Sequence, residues 1–175
     1  MSNMIPAWEN GELKPINKLE VHERALRHKA VSVFIIYGSE TLIQKRALNK
    51  YHTPGLWANA CCTHPYWNEM SMDCATRRIK EELGLITDLD LVYRNQIEYK
   101  ADVGNNLVEH ELVDIFTWAV DSKEKVKPII NTEEVMDTKW IEFKKLRKDI
   151  SLKPKNFTPW LRIYMEEYIS QILAP

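Results

Sequence analysis

The sequence predicts a domain of the α/β (α+β) class, in which one sheet packs against helices. Residues 31–37 form a β-branched and aromatic run, which is typical of a buried strand. Residues 71–83 place apolar side chains at helical spacing and predict an amphipathic helix. Residues 159–173 open with a proline and carry a second apolar stripe, which predicts a final helix.

Length and composition limit the possible functions. A chain of 175 residues fits a single domain over 1–175, and 45% hydrophobic with 28% charged residues is ordinary for a soluble protein. The net charge of −1 provides no general attraction for nucleic acid or an anionic membrane, so we expect neither as a partner. Three cysteines make no disulfide framework, and no membrane span or signal peptide is visible, so we expect a cytoplasmic protein.

The N-terminal region is the least regular part of the sequence. Residues 1–17 contain two prolines and predict an irregular or short-strand lead-in. The polar segment 18–28 contains His22 and His28. A spacing of six does not fit one helix face, so the two imidazoles converge only if the backbone bends between them. Otherwise they are ordinary surface residues.

The strand at 31–37 is followed by a turn at 38–40 and a returning strand at 41–47, and together they predict a hairpin. A turn at 54–57 then leads into a loop that carries a pair of cysteines and a histidine. The returning strand, the segment after it and the loop contain three cationic side chains and a thiol close together in the sequence. Those residues are Lys45, Arg46, Lys50 and Cys62.

The helix predicted over 71–83 has Ser71 as a plausible N-cap and ends at Gly84. Its polar side crowds four charges into the last two turns. The simplest interpretation is a solvated face with ion pairs, in which Arg78 and Glu82 are neighbours. The predicted apolar stripe consists of Met72, Ala75, Ile79 and Leu83.

The second half predicts a strand at 89–101, a turn at 102–106 and a long strand at 107–120. Glu109 and Glu111 share one side of that strand with apolar residues, whereas His110 points the other way. Two carboxylates on an interior face are costly unless they meet cations. A loop at 128–132, a strand around Trp140, a short helix at 143–149 and the final helix, with Thr158 as N-cap, complete the prediction.

A known family accounts for these features together. Glu69, Arg77, Glu81, Glu82 and Gly84 have the spacing of the Nudix box, in which glutamates hold a divalent cation against a diphosphate. Two positions depart from the box: Thr63 replaces its glycine and Arg78 replaces a glutamate. The loss of that carboxylate argues against hydrolysis.

The loop at 59–65 resembles the cysteine loop of one Nudix branch, the type 1 isopentenyl-diphosphate isomerases. The resemblance covers roughly 18–165. It implies a Nudix fold, with a mixed β-sheet sandwiched between helices and a core at about 28–165. It also implies that the N-terminal segment contributes metal ligands and that a C-terminal helix spans 159–173. We expect a monomer or weak homodimer acting on a small diphosphate.

The resemblance implies two metal sites. One holds Mn²⁺ or Zn²⁺ in a His₃Glu₂ set. The other holds Mg²⁺ brought by the diphosphate, with Glu82 and the Cys62 main-chain carbonyl as protein ligands, since Mg²⁺ prefers few protein ligands plus phosphate oxygens. The implied ligands of the first site are His22, His28, His64, Glu109 and Glu111.

The implied reaction is a 1,3-allylic shift that interconverts isopentenyl and dimethylallyl diphosphate through a cation-like transition state. Cys62 and Glu111 correspond to the family's acid/base pair, with either of them as the acid in the forward direction, and Tyr99 supports Glu111. Trp160 offers its π face to the cation, worth about 0.5–2 kcal/mol. The implied diphosphate-binding cations are Lys18, Arg46, Lys50 and Arg78.

Two other functions are compatible with parts of the sequence. The first is a Nudix hydrolase of a nucleoside diphosphate derivative, against which Arg78 argues. The second is a metal- or diphosphate-binding module without activity, against which the intact pair of Cys62 and Glu111 argues.

Overall fold

The computed structural model describes residues 3–86 and 89–173, and these form one mixed nine-stranded sheet with helices on both faces. The strands are β1 (Met4–Glu9), β2 (Glu12–Asn17), β3 (Arg27–Tyr37), β4 (Glu40–Arg46), β5 (Trp57–Asn59), β6 (Cys61–Thr63), β7 (Val92–Gly104), β8 (Leu107–Ala119) and β9 (Val135–Glu142).

Strand β3 organises the sheet because four strands pair with it. β1, β4 and β6 are antiparallel to it, and β8 runs parallel from the Arg27–His110 pair to the Ile36–Ala119 pair. The predicted hairpin exists, but β3 and β4 pair at only two positions beside their turn. Beyond the turn, β4 pairs with β5 and β9.

Alternate residues of β3 face different helices. One set packs against α2, and the other packs against the C-terminal helices, so the predicted sheet between helices is confirmed. The helices are α1 (Lys18–Glu23), α2 (Ser71–Leu83), α3 (Phe143–Leu152), α4 (Pro159–Ile163) and α5 (Ile169–Leu173), and a π-helical turn (Tyr164–Tyr168) joins the last two. Within the described ranges, no helix is long and apolar enough to cross a membrane.

The N-terminal lead-in adopts the short-strand form of the two that were predicted, whereas the predicted cysteine loop contains strands. The N-terminal lead-in is the antiparallel pair β1–β2, which packs through Ile5, Ala7 and Ile16. The cysteine loop contains the short strands β5 and β6, and β6 pairs with β3. The three-residue strands β5 and β6 lack the length and apolar alternation that distinguish a strand from a loop in sequence.

The start of α2 differs from the prediction, whereas its end agrees. Met70 is the N-cap, and the Ser71 hydroxyl instead donates to Asp114 Oδ2 at 2.5 Å. Met72 is 39% exposed, and Cys74 joins the buried stripe in its place. Gly84 ends the helix at φ 64°, where a Cβ would lie 2.5 Å from the Ile129 carbonyl oxygen.

Candidate active site

Three histidines from separate elements converge in the interior. His22 lies on α1, His28 lies near the start of β3 and His64 directly follows β6. Ala25, with φ 51°, reverses the chain between α1 and β3, which is the bend that the His22–His28 spacing requires. The ring centroids of the three histidines lie 4.9 to 5.1 Å apart.

The hydrogen bonds of the rings orient their lone pairs inward. His22 Nδ1 lies 2.6 Å from the Lys18 carbonyl oxygen, and His28 Nδ1 lies 2.8 Å from that of Leu26. A carbonyl only accepts, so both Nδ1 atoms carry hydrogen and both Nε2 atoms present lone pairs. Within the described ranges, the buried His22 Nε2 has no hydrogen-bond partner.

Burial keeps His22 and His64 neutral. It lowers the pKa of His22 to about 4, and the neighbouring His28 ring acts in the same direction. Burial likewise lowers the pKa of His64 well below its ordinary range. A neutral imidazole is the form that binds a metal, so the cluster is ready to coordinate one at neutral pH.

Glu109 and Glu111 point from β8 into the same space, and both are buried. Glu111 Oε1 lies 2.8 Å from His64 Nε2 and 3.7 Å from His28 Nε2. Tyr99, which pairs with Glu111 across β7 and β8, donates its hydroxyl to Glu111 Oε2 at 2.5 Å. His110 lies outside this site, as predicted, and contacts Glu98.

The two carboxyl groups differ in acidity. Burial and the charge of Glu111 raise the pKa of Glu109 well above its usual value. Burial alone would also raise the pKa of Glu111, but the imidazoles of His28 and His64 outweigh it and hold that pKa well below the usual value. Three imidazoles, of which His22 has an unpartnered Nε2 within the described ranges, and two carboxyl groups form a donor set that a divalent cation fits.

Cys62 faces the same side of the sheet as this cluster. Its Sγ lies 3.1 Å from Ser32 Oγ and 4.0 Å from Tyr164 Oη, and those two hydroxyl oxygens lie 2.8 Å apart. Burial raises the pKa of the Cys62 thiol, and the Glu111 and Glu109 carboxylates raise it further. Cys61 points to the opposite face and packs against α2, because neighbouring residues of a strand alternate.

The four predicted cations line one pocket with Cys62, Glu82, Glu109, Glu111 and Trp160. Lys50 Nζ lies 2.6 Å from Glu134 Oε2, and Arg78 Nη2 donates to the same oxygen at 3.2 Å. The Arg46 guanidinium lies 5.3 Å from the Trp160 ring centroid. Burial and the neighbouring cations, Lys50 first, lower the pKa of Lys18 to about 8.

The open space among these side chains is only about 30 Å³, so side chains must move before a diphosphate enters. Glu82 is also engaged, because Arg78 Nη2 donates to its Oε1 at 2.5 Å and Gln44 Nε2 donates to its Oε2 at 2.8 Å. A larger groove of about 620 Å³ runs along α3 and α4, but none of the predicted site residues lines it.

The remaining charges of the box act within α2 and the loop before it. Arg77 Nε and Nη2 donate to the Glu69 carboxylate at 2.6 and 2.8 Å, and Arg77 Nη1 donates to Glu81 at 3.1 Å. Besides Arg78, the charged residues of the box are Glu69, Arg77, Glu81 and Glu82. Of these four, only Glu82 lines the pocket.

Sequence reasoning missed five residues at this site. His52 lies beside His22 and Glu109, and Glu134 forms ion pairs with Lys50 and Arg78. His52 could have been noticed as a histidine between Lys50 and the cysteine loop. The others carry no sequence signal, because their roles arise from the pairing of distant strands and helices. The five are Ser32, Gln44, His52, Glu134 and Tyr164.

Comparison with known proteins identifies the family. The family model for the NUDIX domain matches residues 26–161. The isopentenyl-diphosphate Delta-isomerase of Dinoroseobacter shibae is 55% identical over 99% of this chain and 97% of its own length. The chain belongs to the isopentenyl-diphosphate Delta-isomerase family. The enzyme of that name from Cereibacter sphaeroides KD131 is 53% identical over 99% of this chain and 97% of its own length. The one from Rhodobacter capsulatus is 51% identical over 98% of this chain and 96% of its own length.

Solved structures support the Nudix fold predicted from the box. A protein from Deinococcus radiodurans superposes with a TM-score of 0.72 at 15% identity, over 93% of this chain and 96% of its own. The MutT protein from Methanosarcina mazei Go1 superposes with a TM-score of 0.63 at 14% identity, over 83% of this chain and 94% of its own. At these identities the likeness concerns the fold alone. The predictions of family and fold are confirmed.

Proposed function

We propose that this isomerase-family chain interconverts isopentenyl diphosphate and dimethylallyl diphosphate. The observation that carries the proposal is the placement of Cys62 and Glu111, which line one pocket with four cations. The pocket thus has two proton-transferring groups and a binding place for a dianion. Relatives above 50% identity carry the isomerase name, which supports the choice of substrate.

The reaction moves one proton onto the substrate and another off it. A proton adds to the terminal carbon of the double bond, and a different proton leaves the carbon on the other side of the central carbon. The double bond shifts by one position and the diphosphate is unchanged. Cys62 and Glu111 each carry out one transfer, and the reverse reaction exchanges their roles. Tyr99 holds the Glu111 carboxylate in position through its 2.5 Å hydrogen bond.

The cation-like transition state needs a wall that does not attack it. The Trp160 ring lines the pocket and is 1% exposed, so its π face is available to positive charge away from water. Trp160, Glu109 and Glu111 are all buried, which supports the exclusion of water that would otherwise trap the cation.

The diphosphate binds to Lys18, Arg46, Lys50 and Arg78 in this proposal. Several charge-assisted hydrogen bonds to one dianion orient the substrate and leave its alkene between Cys62 and Glu111. Lys50 and Arg78 must first leave Glu134, since that carboxylate occupies them.

Two cation sites belong to the proposal. His22, His28, His64, Glu109 and Glu111 would hold Mn²⁺ or Zn²⁺, while Glu82 and the Cys62 main-chain carbonyl would hold Mg²⁺ with the diphosphate. The bound ions supply positive charge beside the Glu111 carboxyl group and beside the diphosphate. We also propose a cytoplasmic location, where reducing conditions keep Cys62 a free thiol.

One assay separates this function from its alternatives. The protein is incubated with isopentenyl diphosphate and Mg²⁺, and the products are followed by NMR and by phosphate release. Formation of the dimethylallyl isomer without phosphate supports the proposal. Phosphate release, from this substrate or from nucleoside diphosphates, would indicate a hydrolase instead. Binding without either product would indicate a module that has lost activity.

A further inference from the structure

His52 lies beside the histidine cluster in the turn between β4 and β5, and it is buried. Its ring is stacked near that of His22, with centroids 5.8 Å apart and an interplanar angle of 26°. Its Nε2 lies 3.5 Å from Glu109 Oε1. Ligand atoms of His22, His52 and Glu109 all lie within 4.8 Å of one another, as do those of His22, His28 and His64. Two potential metal triads therefore share His22.

The surroundings of His52 resemble those of the other two oriented histidines. His52 Nδ1 lies 3.1 Å from Thr53 Oγ1, just as His22 and His28 place Nδ1 against an oxygen. When Nδ1 donates to that hydroxyl, the Nε2 lone pair faces Glu109 and His22. Thr53 adopts φ 47°, which is unfavourable for a β-branched residue, and this conformation keeps the hydroxyl beside the ring.

We propose that His52 is a sixth protein ligand of the metal centre, and that it gives the ion a second position between His22, His52 and Glu109. The inference rests on the metal centre of the proposed function. The two positions hold one ion and not two, because His22 Nδ1 donates to the Lys18 carbonyl and only the Nε2 lone pair remains for coordination. That buried Nε2 has no other partner within the described ranges.

A fourth imidazole changes which metal the site prefers. Imidazole nitrogen suits Zn²⁺ and the later transition metals, whereas carboxylate-rich sites suit Mg²⁺ and Mn²⁺. Four imidazoles and two carboxyl groups therefore shift the centre toward Zn²⁺. Loss of His52 should weaken Zn²⁺ binding more than Mn²⁺ binding.

The direct test is an NMR titration of the ¹⁵N-histidine-labelled protein with Zn²⁺ alone, each resonance being assigned with His→Gln variants. Binding of a metal moves an imidazole nitrogen from the range of a free lone pair to that of a coordinated one. The chain has five histidines, and His110, which contacts Glu98 on the other side of β8, is an internal control. We expect four histidines to change, namely His22, His28, His52 and His64.

The outcomes separate this inference from the function on which it rests. If His22, His28 and His64 respond and His52 does not, the sixth-ligand inference is wrong and the metal centre stands. If His52 Nε2 keeps a bound proton, His52 only positions Glu109 through a hydrogen bond, which also overturns the inference. If no histidine responds, both the inference and the metal centre fail.

An affinity measurement provides a second readout. Competition with a chelator should show that His52→Gln weakens Zn²⁺ binding by about 10-fold or more, with a smaller effect on Mn²⁺. His110→Gln is the matched control and should leave both affinities unchanged. Glutamine keeps a hydrogen-bond donor near Glu109, so equal Zn²⁺ affinity in His52→Gln and the unmodified protein would contradict a role in coordination.

Discussion

The Tyr99 hydroxyl donates a 2.5 Å hydrogen bond to the Glu111 carboxylate, and the two residues pair directly across β7 and β8. The same carboxylate contacts His64 at 2.8 Å through its other oxygen. The register of β7 and β8 therefore sets Tyr99 against one oxygen of the proposed proton-transferring group, whereas His64 and Cys62 reach that group from β6 through the pairing of β6 and β8 with β3.

The first prediction concerns Cys62 and Glu111 as a pair. Each is assigned one proton transfer, so Cys62→Ala or Glu111→Gln should each lower kcat by at least about 10²–10⁴-fold, and the double variant should be little worse. Cys61→Ala is the matched control and should be mild, because Cys61 packs against α2. Turnover and deuterium incorporation from D₂O check this. Near-normal turnover in Cys62→Ala would show that the catalytic thiol is misassigned.

Trp160 should act mainly on kcat. Its ring is assigned to a charge that exists only near the transition state, so replacing it removes transition-state stabilisation. Trp160→Leu should lower kcat by about 2- to 30-fold, the equivalent of the usual cation–π energy. Trp160→Phe keeps a π face and should recover part of this loss. A rise in KM with unchanged kcat in Trp160→Leu would make the ring a packing or binding residue.

Metal removal should destabilise the protein. Backbone carbonyls orient His22 and His28, and burial keeps His22 and His64 neutral, so the site is formed before the metal binds. An ion present at 100 times its Kd stabilises the folded state by about 2.7 kcal/mol. Elemental analysis should find a transition metal after purification, and chelation should lower Tm. Full activity in chelator plus Mg²⁺, with no transition metal present, would contradict this.

Glu134 should compete with the diphosphate. It occupies Lys50 and Arg78, which the substrate needs, so Glu134→Gln should lower KM several-fold while changing kcat little. Glu133→Gln, one residue away and exposed, is the control. Steady-state kinetics at varied isopentenyl diphosphate measure both constants. An increase in KM would mean that Glu134 helps to position the cations for binding.

The Glu69–Arg77 pair should contribute a pH-dependent part of the stability. Burial alone would raise the pKa of Glu69, but the hydrogen bonds from Arg77 outweigh it and the pKa is lowered from 4.5. The contribution is therefore fully present above about pH 4.5, the unfolded value, and it is lost as pH falls through the lower folded value. Urea unfolding should show that Glu69→Gln costs about 1 kcal/mol at pH 7, after allowance for solvent screening.

The difference in the free energy of unfolding between the unmodified protein and Glu69→Gln should shrink below about pH 4. Glu167→Gln, at an exposed position, is the control for the removal of one negative charge. A Glu69→Gln effect that stays constant down to low pH would mean that the side chain contributes by packing and not by charge.

Strand and helix periodicities are strong in β3, β8 and α2, so these elements could be predicted from the residues, whereas the sheet between helices was predicted from the resemblance to the Nudix family. The same resemblance singled out His22, His28, His64, Glu109 and Glu111, which the fold does bring together. The pairing of β3 with β8 could not be predicted from periodicity, since two distant segments form it. The prediction of Ser71 as the N-cap of α2 was wrong, because the Ser71 hydroxyl donates to Asp114 of β8.

His52 and Glu134 were missed for a related reason. Each belongs to an irregular segment, where no periodicity indicates the direction of a side chain. His52 enters the site through a turn with a positive φ at Thr53, and Glu134 meets Lys50 only because β9 pairs with β4.

The parallel ladder between β3 and β8 also determines when the centre can exist during folding. His28 and Glu111 are direct partners in that ladder, although many residues separate them along the chain. Such long-range pairing forms late and slowly. A nascent chain thus has no complete metal site until β8 has paired with β3. Metal uptake should then follow this pairing, so a folding intermediate that lacks it should bind no metal at the centre.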